Sequence, residues 1–273
     1  MARAAVSGRL IWRVATVTAV RDETSSARTL VLDVPDWPGH LPGQHVDVRL
    51  TAPDGYSAQR SYSIASAWTD GGSARTDGGA ATGARVSGRR GEPRTGVELT
   101  VQRIEDGEVS SYLTDVLKEG DPLELRGPVG GWFVWRSAQP APVLLVAGGS
   151  GVVPLMAMIR ARGAIRGRQP FRLIYSVRTP GDALYAGELA RRVRDDPGLD
   201  VRYVYTRETP PDWPEPAKRI SVATINSYGW PPDFDPDCFV CGPTAFVETA
   251  ADILVALGHH PRKIKTERFG GTR

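Results

Sequence analysis

The chain is poor in the side chains that hold metals and clusters: its 273 residues include 2 cysteines and 4 histidines. So few thiols cannot furnish the four-Cys set of an iron–sulfur cluster or paired zinc knuckles, and no metal site is expected. Long apolar runs are also missing. The uncharged stretch 139–159, part of the longest such run (137–159), is interrupted by Gly148-Gly149-Ser150-Gly151 and by Pro154, so it reads as strand, tight loop and helix start and not as a membrane span. Residues 1–8 contain no apolar core of a secretory signal. A cytoplasmic protein with reduced thiols is expected. Nor does charge of one sign dominate. The formal net charge is +3, with 16 basic and 17 acidic residues in 1–140 and 18 and 14 in 141–273, which is too even for a chain that coats nucleic acid. One local exception is the set Arg160, Arg162, Arg166, Arg168 and Arg172, with no acid inside it. It reads as a helix end complementing the dipole, or as a docking face for an acidic partner.

What is present divides into two rhythms. In the first half, short β-branched runs at 11–20, 28–34, 45–50, 97–104 and 123–126 alternate with turn signals, the pattern of a small antiparallel barrel. In the second half, apolar runs at 143–147, 171–177, 201–206 and 238–241 are separated by helical stretches at 152–162, 184–194 and 244–257. Strand–helix alternation implies crossover units and a parallel α/β sheet. The segment Ser137-Ala138-Gln139-Pro140-Ala141-Pro142 reads as the linker, giving domains 1–138 and 139–273. Residues 67–96 hold 8 Gly and 5 Arg with little apolar surface, so a flexible insertion between two barrel strands is expected.

Several short motifs carry chemistry. Arg60-Ser61-Tyr62-Ser63 on an extended segment offers a bidentate cation, a flat aromatic face and a short hydroxyl. Val143–Ala147 followed by Gly148-Gly149-Ser150-Gly151 lets backbone approach a phosphate before a helix begins, although Pro154 departs from the standard dinucleotide fingerprint. Cys238-Phe239-Val240-Cys241 has dithiol spacing. On a buried strand, however, positions i and i+3 face opposite ways, so a redox pair is rejected: Cys238 fills core and Cys241 sits at the strand's ligand-facing end.

Taken in order, Pro42-Gly43-Gln44, Arg60-Ser61-Tyr62-Ser63-Ile64-Ala65-Ser66, Gly107-Glu108-Val109-Ser110-Ser111-Tyr112-Leu113, Gly127-Pro128-Val129-Gly130, Gly148 to Pro154, Cys241-Gly242-Pro243 and Glu267-Arg268-Phe269-Gly270 resemble the landmarks of the ferredoxin–NADP reductase superfamily over nearly the whole chain. The resemblance implies a flavin-binding barrel followed by a pyridine-nucleotide domain, with the flavin where the two meet. It implies that Arg60 contacts the flavin phosphate beside Ser61, that Tyr62 packs on the isoalloxazine and that Ser63 bonds near N5. It further implies that Gly107, Val109, Ser110 and Ser111, opening a helix over 110–118, hold the pyrophosphate of FAD. For Ser110 the plainer reading is an N-cap. In the second half, Gly149 and Gly151 would form the nucleotide loop, and Cys241 with Gly242 and Pro243 would lie near the nicotinamide.

NADPH differs from NADH by a ribose phosphate, which calls for cations near the ends of the second and fourth strands of that half. Arg178 and Thr206-Arg207 stand there, which favours NADPH, with NADH as the alternative. Residues 264–273 read as a final strand and Gly turn. The resemblance makes Glu267 a nicotinamide-pocket candidate, and it leaves Phe269 as either a ring shield or a core-closing side chain. The function implied is an FAD-dependent oxidoreductase that takes hydride from NADPH, with Ser63, Cys241 and Glu267 in the catalytic set, and that passes electrons to a separate acceptor such as an acidic ferredoxin. The alternatives are an NADH-preferring reductase of free flavin, quinone or another small oxidant, and a nucleotide-sensing electron-transfer subunit without turnover.

Overall fold

A computed structural model describes residues 10–68, 96–164 and 169–270. The first half builds an antiparallel sheet from β1 (Trp12–Thr24), β2 (Ala27–Asp33), β3 (His45–Thr51), β4 (Ser57–Ser63), β5 (Gly96–Gln102) and β6 (Pro122–Val129), in the order β4-β3-β6-β1-β2-β5. A bridge from Ile64 to Leu99 joins the two edges and closes the barrel. Alternation does the sorting here. Leu30 and Leu32 on β2, Val46 and Val48 on β3 and Leu123 and Leu125 on β6 all point into one buried cluster, while the residues between them face outward or toward the rim. The expected insertion at 67–96 lies, apart from its ends, outside the described residues.

Between β5 and β6, the expected helix at 110–118 is corrected. The chain turns at Asp106 (φ +60°), and Gly107 caps a single turn, α1 (Glu108–Ser111), which widens into a π turn over Tyr112–Val116. The helix therefore starts two residues earlier than expected. The cause is Ser110, whose hydroxyl donates to the Gly107 carbonyl at 3.2 Å and accepts from the Ile104 amide at 3.1 Å, folding the entry turn onto the helix. A side chain at Gly107 would meet that hydroxyl at 2.4 Å, so the turn needs glycine.

The second half alternates β7 (Val143–Gly148), α2 (Val152–Ala164), β8 (Phe171–Val177), α3 (Ala186–Asp195), β9 (Leu199–Tyr205), α4 (Val222–Tyr228), β10 (Asp237–Pro243), α5 (Thr244–Ala256) and β11 (Ile264–Phe269). The five strands are parallel in the order β11-β10-β7-β8-β9, so the chain reverses direction across the sheet on either side of β7. Ligands bind at such a switch, beyond the strands' C-terminal ends. One face of the sheet (Leu145, Ala147, Leu173, Tyr175, Phe239, Cys241) packs with α2 and α3, and the other (Leu144, Val146, Ile174, Cys238, Val240) packs with α4 and α5. The two cysteines thus lie on opposite faces, and both are free thiols. No helix among the described residues is long and apolar enough to cross a membrane.

Helix α2 is buried nearly all round, because it lies between the parallel sheet and the barrel; Ala27 and Ala65 of the barrel belong to the same apolar cluster. This placement takes the described arginines, Arg160, Arg162 and Arg172, out of the expected docking face. Arg160 bonds to Glu98 of β5, to the Ala65 carbonyl and to Glu188 of α3, at 2.6–2.9 Å. Arg162 is 3% exposed and pairs with Asp196. Arg172 donates to the Gly229 carbonyl and lies over the Trp230 ring. Arg166 and Arg168 lie outside the described residues. The described arginines of the set are structural cations, and no exposed patch is formed from them.

Candidate active site

Strand β4 runs along the sheet's end beside β3, with His45 opposite Ser63, Val46 opposite Tyr62, Asp47 opposite Ser61 and Val48 opposite Arg60. Alternation puts Arg60 and Tyr62 on one face and Ser61 and Ser63 on the other. Arg60 is exposed, and among the described residues it bonds only to its neighbour's carbonyl. Tyr62 is half-buried against the barrel core, and burial pushes its hydroxyl up to about 12, against the opposing influence of Arg60. Ser61 is engaged: it donates to Asp47 at 2.7 Å, while Arg126 holds the other Asp47 oxygen at 2.7 Å. Ser63 has no side-chain partner among the described residues.

At α1, Val109 points into the barrel core and Ser110 is spent on the entry turn, so Ser111 is the partly exposed hydroxyl there without a protein partner among the described residues. A pyrophosphate at this turn would meet backbone amides and Ser111, not the Ser110 hydroxyl.

In the parallel sheet, Gly149 adopts φ +54° with open space where a side chain would be, whereas a Cβ on Gly151 would lie 2.2 Å from the Cys241 carbonyl. The glycines therefore serve two ends: one bares backbone, and the other lets the turn after β7 touch the end of β10. Gly242 packs against Gly148 and Phe246, and Pro243 caps α5. Arg178 and Arg207 leave the second and third strands of this half, not the second and fourth; they start side by side, since the Arg207 amide donates to the Arg178 carbonyl at 2.9 Å and the Thr206 amide to that of Val177. The Glu208 amide reaches the same Arg178 carbonyl at 3.2 Å, so the Glu208 backbone belongs to the same turn. Phe269 is 38% exposed, so it does not close the core.

The groups from the two sheets meet at one place. Cys241 lies opposite Glu267 in the β10–β11 register. Glu267 approaches His45 of the barrel, Oε1 to Nδ1 at 3.7 Å, and His45 in turn sits opposite Ser63. Burial raises the Cys241 thiol well above its usual range, reinforced by the Glu267 charge, and burial pushes the Glu267 carboxyl up to about 7. Oε2 of Glu267 is buried with no hydrogen-bond partner among the described residues. His45 was absent from the sequence-derived site; its only signal was its place directly after Pro42-Gly43-Gln44.

Two family models match the chain: an oxidoreductase FAD-binding domain over residues 87–134 and an oxidoreductase NAD-binding domain over 145–252. Both models are of oxidoreductase domains, an FAD-binding one before an NAD-binding one, the order that the resemblance to the ferredoxin–NADP reductase superfamily implies. Among similar proteins, a flavohemoprotein from Rhodopirellula baltica is 27% identical over 235 residues, covering 85% of this chain and 53% of its own. A glycine betaine monooxygenase reductase subunit from Chromohalobacter salexigens is 29% identical over 257 residues, covering 93% of this chain and 63% of its own. The chain thus spans somewhat over half the length of these relatives. In three dimensions, the FAD/NAD-binding domain of the Vibrio cholerae nitric oxide dioxygenase superposes with a TM-score of 0.76 at 22% identity, covering 95% of this chain and 99% of that one. This match shows the fold.

Proposed function

We propose that this chain takes a hydride from NADPH onto FAD and passes the electrons to an acceptor outside its two sheets, of the acidic ferredoxin type. We divide it into an FAD-binding domain, 1–138, and a nucleotide-binding domain, 139–273, and assign it to the cytoplasm, where its two unpaired cysteines stay reduced. The observation that carries this reading is the convergence of Ser63, Cys241 and Glu267, from three strands of two sheets, on one seam. A nucleotide-sensing subunit without turnover would need none of the three there.

The residues fit the cofactors. Arg60 offers an exposed cation, Tyr62 a half-buried aromatic face, Ser111 a hydroxyl without a partner among the described residues and Gly149 a bare backbone for phosphate. When bound, the flavin supplies the conversion between two-electron and one-electron transfer. The protein's share is position. Ser63 on one side and Cys241 on the other bound the reacting region, and Cys241, kept as a thiol, acts by its bulk and its place and not as a nucleophile.

Heat-released cofactor tests the first step: FAD is expected, FMN would remove the pyrophosphate role of α1, and no flavin would sink the reading. Ser63→Ala and Cys241→Ala should each slow anaerobic bleaching of the flavin by NADPH by roughly 10²-fold while preserving its spectrum, because near-attack geometry is lost. Parent-like stopped-flow rates would remove those roles. Glu208 favours a second reading, NADH as the donor, since a carboxylate there suits a ribose hydroxyl and repels a ribose phosphate. Arg178→Ala with Arg207→Ala should raise KM for NADPH alone; if Glu208→Gln instead raises KM for NADH, the second reading prevails.

A further inference from the structure

Backbone strain on the seam is concentrated at one aromatic residue. Among the described residues, those other than glycine with positive φ are Asp36, Asp106, Asp235 and Tyr185. Aspartate tolerates the left-handed region because its short carboxyl can bond locally, whereas a bulky aromatic residue there is an outlier. Tyr185 (φ +57°, ψ +19°) also stands at the N-cap of α3, a place ordinarily held by an extended Ser, Thr, Asp or Asn, and its side chain caps nothing. Such a conformation persists where the surrounding contacts over-determine it, and residues of this kind gather at clamps on ligands.

The contacts that hold Tyr185 cross between the two sheets. The residue is 3% exposed, and its hydroxyl donates to Thr100 of β5. Thr100 meets Thr29 of β2 at 2.7 Å, and Thr29 donates to Glu23 of β1 at 2.7 Å. Each hydroxyl has one hydrogen to give. With that of Thr29 spent on Glu23, Thr100 donates to Thr29, so the line of hydroxyls runs one way and ends on a carboxylate. Burial raises the Tyr185 hydroxyl above its usual range, which keeps it a donor. The Arg160 guanidinium lies over the ring, 5.0 Å from its centre.

In the other direction Tyr185 ends the turn that leaves β8 at Arg178. Asp182 accepts from the Thr179 amide at 3.0 Å and from the Thr179 hydroxyl at 2.8 Å, and the Leu184 amide donates to the buried Tyr175 hydroxyl of β8 at 3.1 Å. The turn is therefore tied to its own strand near both ends and to the barrel at Tyr185 alone, which makes it a short strut between the two. We propose that Tyr185 is a positioning residue: its bond to Thr100 fixes the turn that carries Arg178 at one distance from the barrel, and so sets where a nucleotide held by that turn stands relative to the flavin. The proposal rests on the reductase reading, in which Arg178 takes the nucleotide's phosphate. Without the bond the nucleotide still binds, but its reacting end is held less closely, so the rate of transfer falls more than the affinity.

The test has two arms. In the first, Tyr185→Phe keeps the ring and the backbone and removes the hydroxyl alone. With flavin content at the parent level, the limiting rate of anaerobic bleaching at saturating NADPH should fall roughly tenfold, while the NADPH concentration that gives half that rate should change by about twofold at most. Thr100→Val breaks the same bond from the barrel side, so the double variant should be no slower than the slower single one, and Thr100→Ser, which keeps the hydroxyl, should retain the parent rate. A lower melting temperature with a parent-like limiting rate is what a tyrosine that only fastens would give, and it overturns the proposal; so do rate losses that multiply in the double variant, or a Thr100→Ser as slow as Thr100→Val. Should Tyr185→Phe lose flavin, Thr100→Val is read in its place. The second arm measures residual dipolar couplings of backbone amides in parent and Tyr185→Phe. Amides of the turn at 178–184 and of the barrel should fit one alignment in the parent, and those of the turn should depart from it in the variant; a turn that stays within the common fit overturns the proposal. If NADPH does not bleach the parent's flavin at all, the reductase reading falls, whereas the second arm still decides whether the Tyr185 hydroxyl fixes the turn.

Discussion

The seam between the two sheets has two ends built on opposite principles. At one end Arg160 meets Glu98, Glu188 and a backbone carbonyl, and the Tyr185 hydroxyl bonds to Thr100 of the barrel; charges and polar hydrogens there find partners. At the other end His45 and Glu267 touch once, and a buried oxygen is left over. Both ends join the same two sheets, so joining alone does not account for the difference. Saturated contacts fix how the sheets sit, and unsaturated ones leave valence for chemistry.

The largest expected effect breaks the saturated end. Arg160→Ala strands Glu98 and Glu188 without their shared cation and should cost about 3–5 kcal/mol in urea unfolding, whereas Glu267→Gln, which removes a poorly accommodated acid, should leave stability at pH 8 unchanged or higher. Equal losses in the two variants would dissolve the distinction. The histidines sharpen it through pH. Burial drops His40 to about 4, partly opposed by its bond to Ser66. The unfolded chain takes up a proton near 6.5 that the folded chain resists, so the stability from neutral His40 is full above pH 6.5 and is lost as pH falls to about 4. The loss is about 3 kcal/mol, and His40→Phe should flatten that part of the curve.

A smaller effect is expected at the contact between the turn after β7 and β10. Gly151→Ala must push the Cys241 carbonyl away, costing about 1–3 kcal/mol and slowing flavin reduction together with it; a parent-like rate would show that the spacing of these strands does not govern transfer. The smallest concerns the thiol on the far face. Cys238→Ala should cost about 1 kcal/mol and leave NADPH-dependent bleaching untouched, because Cys238 faces α5 and not the seam.

Much of this architecture was legible in the residues. Period-two alternation in the barrel and apolar runs spaced by helices in the second half placed strands within a few positions of where they lie, and Gly-rich or Cys-Gly-Pro segments marked strand ends. Four things were not legible. Arg160 and Arg162 looked like a basic patch because their partners, Glu98, Glu188 and Asp196, are 28 to 62 residues away in sequence, and only folding brings them together. Ser110 looked like a helix opener because a hydroxyl that caps a preceding turn and one that caps a helix have the same local spelling. His45 looked like filler after Pro-Gly-Gln because its meaning depends on a strand that ends the chain. Helix α4 went unread for a simpler reason: seven residues carry too little periodicity.

The burial of α2 between the halves bears on how such a chain can be recombined. Ala27 and Ala65 of the barrel contribute to the same apolar cluster as Met156, Met158 and Phe171, so the halves do not own separate interiors. A chimaera that joined this barrel to a similar protein's nucleotide half would inherit mismatched shapes along one whole flank of the helix, in addition to any fault at the splice. Exchange of modules in this chain is therefore limited less by the linker at 137–142 than by the fit of two small alanines, and a graft that carries α2 together with the barrel surface it touches is the natural unit of inheritance.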